Sequence, residues 1–411
     1  VPAAENIGSA LPVWSVVPFA SLLLCIAIIP LFAGHWWEKN FGKVALVLAL
    51  PVVIFFTFKD LPELLKTGHD YISFIILLGS LFTVSGGIVI RGSVGGRPVT
   101  NTILLLIGAV FANLIGTTGA SMLLIRPLIK ANKNRKSITH VVIFFIFLVS
   151  NVGGSLTPLG DPPLFLGYLK GVPFFWTLQL WPEWLTAVLS ILFIFFIMDS
   201  TIYRRNRDVQ TLDQGKLKIL GGINILFLLG IAGSVFLNSP LREIGMFAMG
   251  ILSYAVTPKN IRNLNEFTFG PIKEVAIIFA GIFATMIPAL LLLESKGSAL
   301  GIRLPWHFFW TTGALSSFLD NAPTYLTFLS TAQGLRLTPD IVGVPTMFLK
   351  AISLGAVFMG ANSYIGNGPN FMVKAIAEEQ GVKMPSFFGY MMYSIAVLIP
   401  VFILITFIFF I

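Results

Sequence analysis

Apolar runs of membrane-spanning length recur along the whole chain, and four of them are broken near the middle by Gly, Pro and polar residues. Continuous runs near 16–33, 43–58, 71–90, 184–198, 219–237, 243–256, 274–293 and 386–411 predict single crossings. Two longer runs, 141–169 and 346–380, predict crossings broken by "NVGGSLTPLGDPP" and "GANSYIGNGPNF". Two more, 101–129 and 305–330, carry "NLIGTTGAS" and "SSFLDNAPT" at their centres and read as re-entrant hairpins. Helix-breaking residues at membrane depth survive where they are buried in protein or line a watery cavity, so the four breaks predict one polar site. With 56% hydrophobic and 11% charged residues, the chain has more apolar surface than a soluble core of this length can bury.

Charge sets the expected topology. With the N-terminus outside and both hairpins returning to their side of entry, seventeen of the 27 Lys and Arg fall in loops 34–43, 91–100, 130–140, 199–218, 257–273 and 381–385. Seven fall in the opposite connections, so the former loops are expected inside and both termini outside. Residues 1–15 read as an outside N-terminal segment, a processed or trimmed terminus compatible with a removed signal peptide. The net charge of +9 sits in short loops, as membrane-anchoring charge does, and nucleic acid is not expected as a partner. Cys25 and four scattered His offer no disulfide framework and no transition-metal site.

The same pattern occurs twice. Residues 16–198 and 219–411 each read as three spans, a hairpin, a broken span and a span, joined by a basic inside linker, 199–218. Each half crosses five times, so the halves are expected to be inverted repeats, an all-α architecture of secondary transporters. ATP-driven transport and common hydrolase chemistry lack their motifs. An intramembrane aspartyl protease is disfavoured by Pro158 and Leu319, and no enzymatic activity is expected.

Asp161, in the first broken span, and Asp320, at the second hairpin tip, are the carboxylates of this site. A buried carboxylate suits a hard monovalent cation and also takes a proton, so Asp320, then Asp161, are the leading candidates for a shared cation and proton site. Thr118, Thr157, Asn321 and Asn362 are candidate neutral ligands, with Thr117, Asn151, Asn367 and Asn370 behind them. The competing reading of Asp320 and Asp161 is helix capping ahead of proline, and that of the threonines is bonding back to helix carbonyls. Arg126 is expected to neutralise an acid or snorkel rather than bind substrate.

The stretches "TTGASMLLIRPLI" (117–129), "NVGGSLTPLGDPP" (151–163), "LDNAPTYLTFL" (319–329) and "GNGPN" (366–370) resemble the hairpin tips and broken spans of the ion transporter superfamily. That superfamily contains dicarboxylate/sodium symporters, arsenite transporters and NhaD-type sodium/proton antiporters. The resemblance implies a dimerising scaffold with a mobile, elevator-type transport domain, in a bacterial inner membrane. Dicarboxylate carriers carry Ser-Asn-Thr at both tips, whereas here Thr117-Thr118-Gly119 and Asp320-Asn321 stand there. Two acids repel an anion and favour a cation, so sodium/proton antiport is the expected function, with sodium and protons as transported species and no cofactor. The alternative is a cation-coupled carrier of citrate, another carboxylate or arsenite.

Overall fold

The computed structural model describes residues 7–91, 95–205, 218–338 and 340–411. Residues 1–6 of the expected outside segment and 206–217 of the expected basic linker lie outside the described residues. The described chain is nearly all helical, with eight helical stretches long and apolar enough to cross a membrane. Many large apolar side chains on its outer faces, among them Phe58, Phe193 and Phe407, are exposed. The protein is a polytopic integral membrane protein.

Helix α1 (Val17–Lys59) is two antiparallel arms, because Ala33 leaves helical geometry at φ −142°, ψ 49°. Leu22 from one arm and Ala45 from the other both press on Gly281, 3.1 and 2.9 Å from where a Cβ would stand. These arms match the expected spans 16–33 and 43–58. Helix α2 (Leu61–Ser85) follows, capped by the Asp60 carboxylate on the Glu63 amide. Strand β1 (Val89–Arg91) pairs antiparallel with β2 (Lys218–Leu220), Ile90 facing Ile219, which puts the ends of 71–90 and of the linker side by side.

Helix α3 (Pro98–Ala131) is the first hairpin. Gly116, at φ 78°, ψ 153°, reverses the chain in a conformation open to glycine alone. Asn101 and Asn132 then bond each other twice, at 3.0 and 2.8 Å, although a straight helix would hold them about 45 Å apart. Asp199, at the end of α6 (Trp181–Arg205), ties down this base. It accepts from Asn101 at 3.0 Å, pairs with His140 at 2.8 Å, and forms a salt bridge with Arg135.

The first broken span comprises α4 (Thr139–Leu148), a 3-10 turn at Val152–Leu156, an extended stretch, and α5 (Pro162–Leu169). Nearly every side chain of α4 is buried, so it lies inside protein rather than against lipid. After α6 come α7 (Ile223–Ser234), α8 (Leu241–Val256), the short α9 (Lys259–Leu264) and α10 (Gly270–Lys296). At 12 and 16 residues, α7 and α8 fall short of the spans expected at 219–237 and 243–256 and of the ~20 residues a full crossing needs. Gly221, at φ 73°, delays the start of α7, and the Asn238–Pro240 turn ends the pair's connection.

Helices α11 (Pro305–Ser316) and α12 (Asn321–Gln333) form the second hairpin around Ser317–Asp320, with Phe308 and Phe328 rings 6.3 Å apart across it. The second broken span is α13 (Thr346–Met359), a turn at Gly360–Asn362, and α14 (Gly368–Glu379), and α15 (Phe387–Phe409) ends the chain. Two packed groups result. Helices α1, α2, α7, α8 and α10 form one, and the hairpins, broken spans, α6 and α15 form the other.

Two outcomes are expected. In a Cys25→Ser background, Asn101→Cys with Asn132→Cys should cross-link within one chain, whereas a straight α3 would leave them unlinked. Gly116→Ala should cost about 1–3 kcal/mol through left-handed strain, read as a lower melting temperature in detergent, while mid-helix Gly68→Ala, which faces open space, should not.

Candidate functional site

The four breaks meet at Asp161. Its carboxylate is 1% exposed and accepts from the Thr117 hydroxyl at 2.7 Å, the Asn321 amide at 2.5 Å and the Asn367 amide at 3.1 Å. Thr117 is the first hairpin tip, Asn321 the second, and Asn367 opens the second half of the other broken span. Asp161 precedes α5, yet its side chain makes no capping bond to that helix. Capping alone therefore does not account for this residue.

The backbone makes the meeting point possible. Asp161 and Asn367 have nearly the same extended geometry, φ −143°, ψ 144° and φ −153°, ψ 139°, each just before a proline-containing helix start. A Cβ on Gly160 would sit 2.1 Å from the Gly154 carbonyl, and one on Gly366 would sit 2.5 Å from that of Gly360, so each loop closes on itself only as glycine. The Thr117 amide bonds the Gly160 carbonyl at 2.8 Å, locking the first tip to the first loop.

All three partners of Asp161 are neutral. An ionised carboxylate buried among neutral donors remains costly until a cation or a proton joins it. Two buried acceptor oxygens, Asn321 Oδ1 and Asn362 Oδ1, have no donor and are the oxygen type a hard cation takes. A cavity of about 130 Å³ opens beside Asp161, Thr117 and Thr118, walled by Leu81 and Phe82 of α2 and by Ile272 and Val275 of α10. Among the described residues, no Lys, Arg or His lines it.

The other candidates fall into shells around this centre. Asn367 reaches Asn151 Oδ1 at 3.2 Å, and Asn151 donates to Asn370 at 2.7 Å. Asn370 in turn holds the Gly360 and Ser363 carbonyls at 2.8 and 2.9 Å. Thr118 lines the cavity. Thr157 instead donates to the Asn113 carbonyl, and Asn362 to Ser317 Oγ at 2.9 Å. Asp320 caps α12, accepting from the Ala322 amide at 3.0 Å, and is only partly buried.

Asn113 and Ser317 were not among the candidates, although both stand in the polar clusters that mark the tips. Asn113 donates to the Gly153 carbonyl at 2.6 Å and accepts from the Leu156 amide at 2.7 Å. Ser317 donates to the Met359 carbonyl at 3.2 Å, while its own carbonyl accepts from Ser363 at 2.5 Å. An amide or hydroxyl one turn before a hairpin tip was the available signal.

Comparison with known proteins relates the chain to transporters. Uncharacterised transporters of Mycobacterium bovis and of Mycobacterium tuberculosis are each 24% identical to this chain over 378 residues, covering 83% of it and 85% of their own length. A family model described as putative citrate transport matches residues 8–410, and the chain belongs to that family of transporters.

Proposed function

We propose that the protein is a cation-coupled secondary carrier of a small carboxylate such as citrate, with Asp161 as the group through which the cation acts. The observation that carries the cation half is a buried carboxylate held by three neutral donors at the meeting point of both hairpins and both broken spans. Family membership supports the carboxylate half. A sodium ion or proton at Asp161 removes the charge that would repel an anionic substrate, so the cation binds first and the carboxylate follows into the adjoining cavity. In this reading Asp161 ranks ahead of Asp320, whose carboxylate is engaged in capping.

An inverted-repeat carrier fits the paired geometry. Thr157 donates to the Asn113 carbonyl as Ser363 does to that of Ser317, and Asn113 holds Gly153 as Ser317 holds Met359. Asp161 and Asn367 are then counterparts in the two halves. The α1, α2, α7, α8 and α10 group would be the scaffold, dimeric by resemblance to the superfamily, and the other group the mobile transport unit. The setting proposed is a bacterial inner membrane with both termini outside.

A second reading is exchange of sodium for protons with no organic substrate. It is favoured by the cavity, which at about 130 Å³ lies below the ~300 Å³ of ordinary ligand pockets and has no basic side chain in its wall.

Proteoliposomes with an internal pH dye, offered citrate and a panel of cations, separate the two. Citrate uptake should require sodium or a proton gradient, and sodium-driven proton flux without any carboxylate would establish the antiporter instead. Asp161→Asn should abolish cation dependence. Asp320→Asn should leave transport near normal, because Asn caps a helix about as well as Asp. Loss of coupling in the Asp320 variant alone would move the cation site to the second tip.

A further inference from the structure

Arg126 stands in the returning arm of the first hairpin, nine residues and about 14 Å beyond Thr117. Only one edge of its guanidinium is engaged, in a salt bridge from Nη2 to Glu266. Among the described residues, Nε and Nη1 are buried and have no partner. Buried guanidinium N–H groups without acceptors are costly, and their fork geometry suits a carboxylate.

Arg126 does not line the cavity beside Asp161, but the loop that carries its partner Glu266 leads into the cavity wall. That wall includes Phe82, Pro271 and Ile272. Phe82 packs on Phe267, with ring centroids 5.3 Å apart, and Phe267 follows Glu266 directly in the short loop that leads into Pro271. A second guanidinium adjoins the same ring. Arg262 lies 4.9 Å from the Phe267 centroid, is nearly fully buried, bonds only the Thr83 carbonyl and Ser253 oxygens, and keeps its Nε without a partner. Glu266 is the more exposed member of the pair, at 53% against 19% for Arg126, and it sits in left-handed backbone at φ 50°. Little burial makes its side of the ion pair weak and its carboxylate easy to displace.

We infer that Arg126 is an anion station beside loop 265–269, outside the cavity wall, which takes a carboxylate group of the substrate while Glu266 serves as its displaceable stand-in. This rests on the carboxylate-carrier reading. It places a positive group where the cavity wall itself has none, so that an anion passes between Arg126 and the cation at Asp161. The guanidinium binds and releases; it takes part in no chemical step.

The test uses citrate as probe on the purified full chain in detergent, with binding read by calorimetry and folding by melting temperature and gel filtration. Arg126→Gln should weaken citrate binding about tenfold, and Glu266→Gln should tighten it by a similar factor, as expected for losing one charge-assisted partner or one competitor. The double variant should behave as Arg126→Gln, and Arg126→Lys should keep part of the affinity. Citrate binding in the wild type that is indifferent to both substitutions would overturn the station while leaving the carrier reading in place. Absence of any citrate binding or uptake by the wild type would overturn that reading, and the station with it. Should Arg126→Gln fail to fold, Glu266→Gln still decides: unchanged or weakened affinity makes the pair a structural bridge only.

Discussion

A carboxylate buried without a positive partner is the constraint around which this structure is arranged. Asp161 lies where four chain breaks converge, and three neutral donors hold it in place without neutralising it. Each break exists to bring one polar group to that depth, and each exposes backbone that must be satisfied nearby. Asn113, Ser317, Ser363 and Asn370 do this, so the loops are held by side chains where a helix would have held them by its own ladder. Asp199 shows the contrasting solution. It is equally buried but compensated by Arg135 and His140, and it fastens the base of a hairpin. One aspartate completes the structure and the other leaves it one positive charge short.

Much of this was legible beforehand. Hydropathy and break residues located both hairpins and both broken spans, because a membrane leaves no other use for "GTTGAS" or "TPLGDPP" at that depth. Their convergence followed from the same argument. The linear pattern puts Asp320 ahead of Asp161, and the fold does not test that order. Asp161 and Asp320 both precede helix starts near proline, and capping or ligation differ only in where the side chain turns. In the fold Asp320 accepts from the Ala322 amide, while Thr117 and Asn367, placed behind the first candidates by the sequence, touch Asp161 directly. The shortness of α7 and α8 also escaped hydropathy, since an apolar run does not reveal where Gly221 delays a helix.

In the proposed carrier, family membership and local chemistry bear on different halves of the cycle: the putative citrate transport family suggests an anion, and the buried Asp161 carboxylate suits a cation. The two are compatible when the cation supplies the charge the anion requires.

The mismatch between Asp161 and its counterpart Asn367 has an electrical consequence in the proposed carrier. Two geometrically matched loops contribute a single negative charge, so an empty transport unit carries that charge and a unit holding only one monovalent cation carries none. If the unit crosses the bilayer, its empty return moves charge through the field at about 2.3 kcal/mol per 100 mV over the full thickness. Membrane voltage would then act on the resetting stroke, and a carboxylate at position 367 as well would double the charge that the stroke must move.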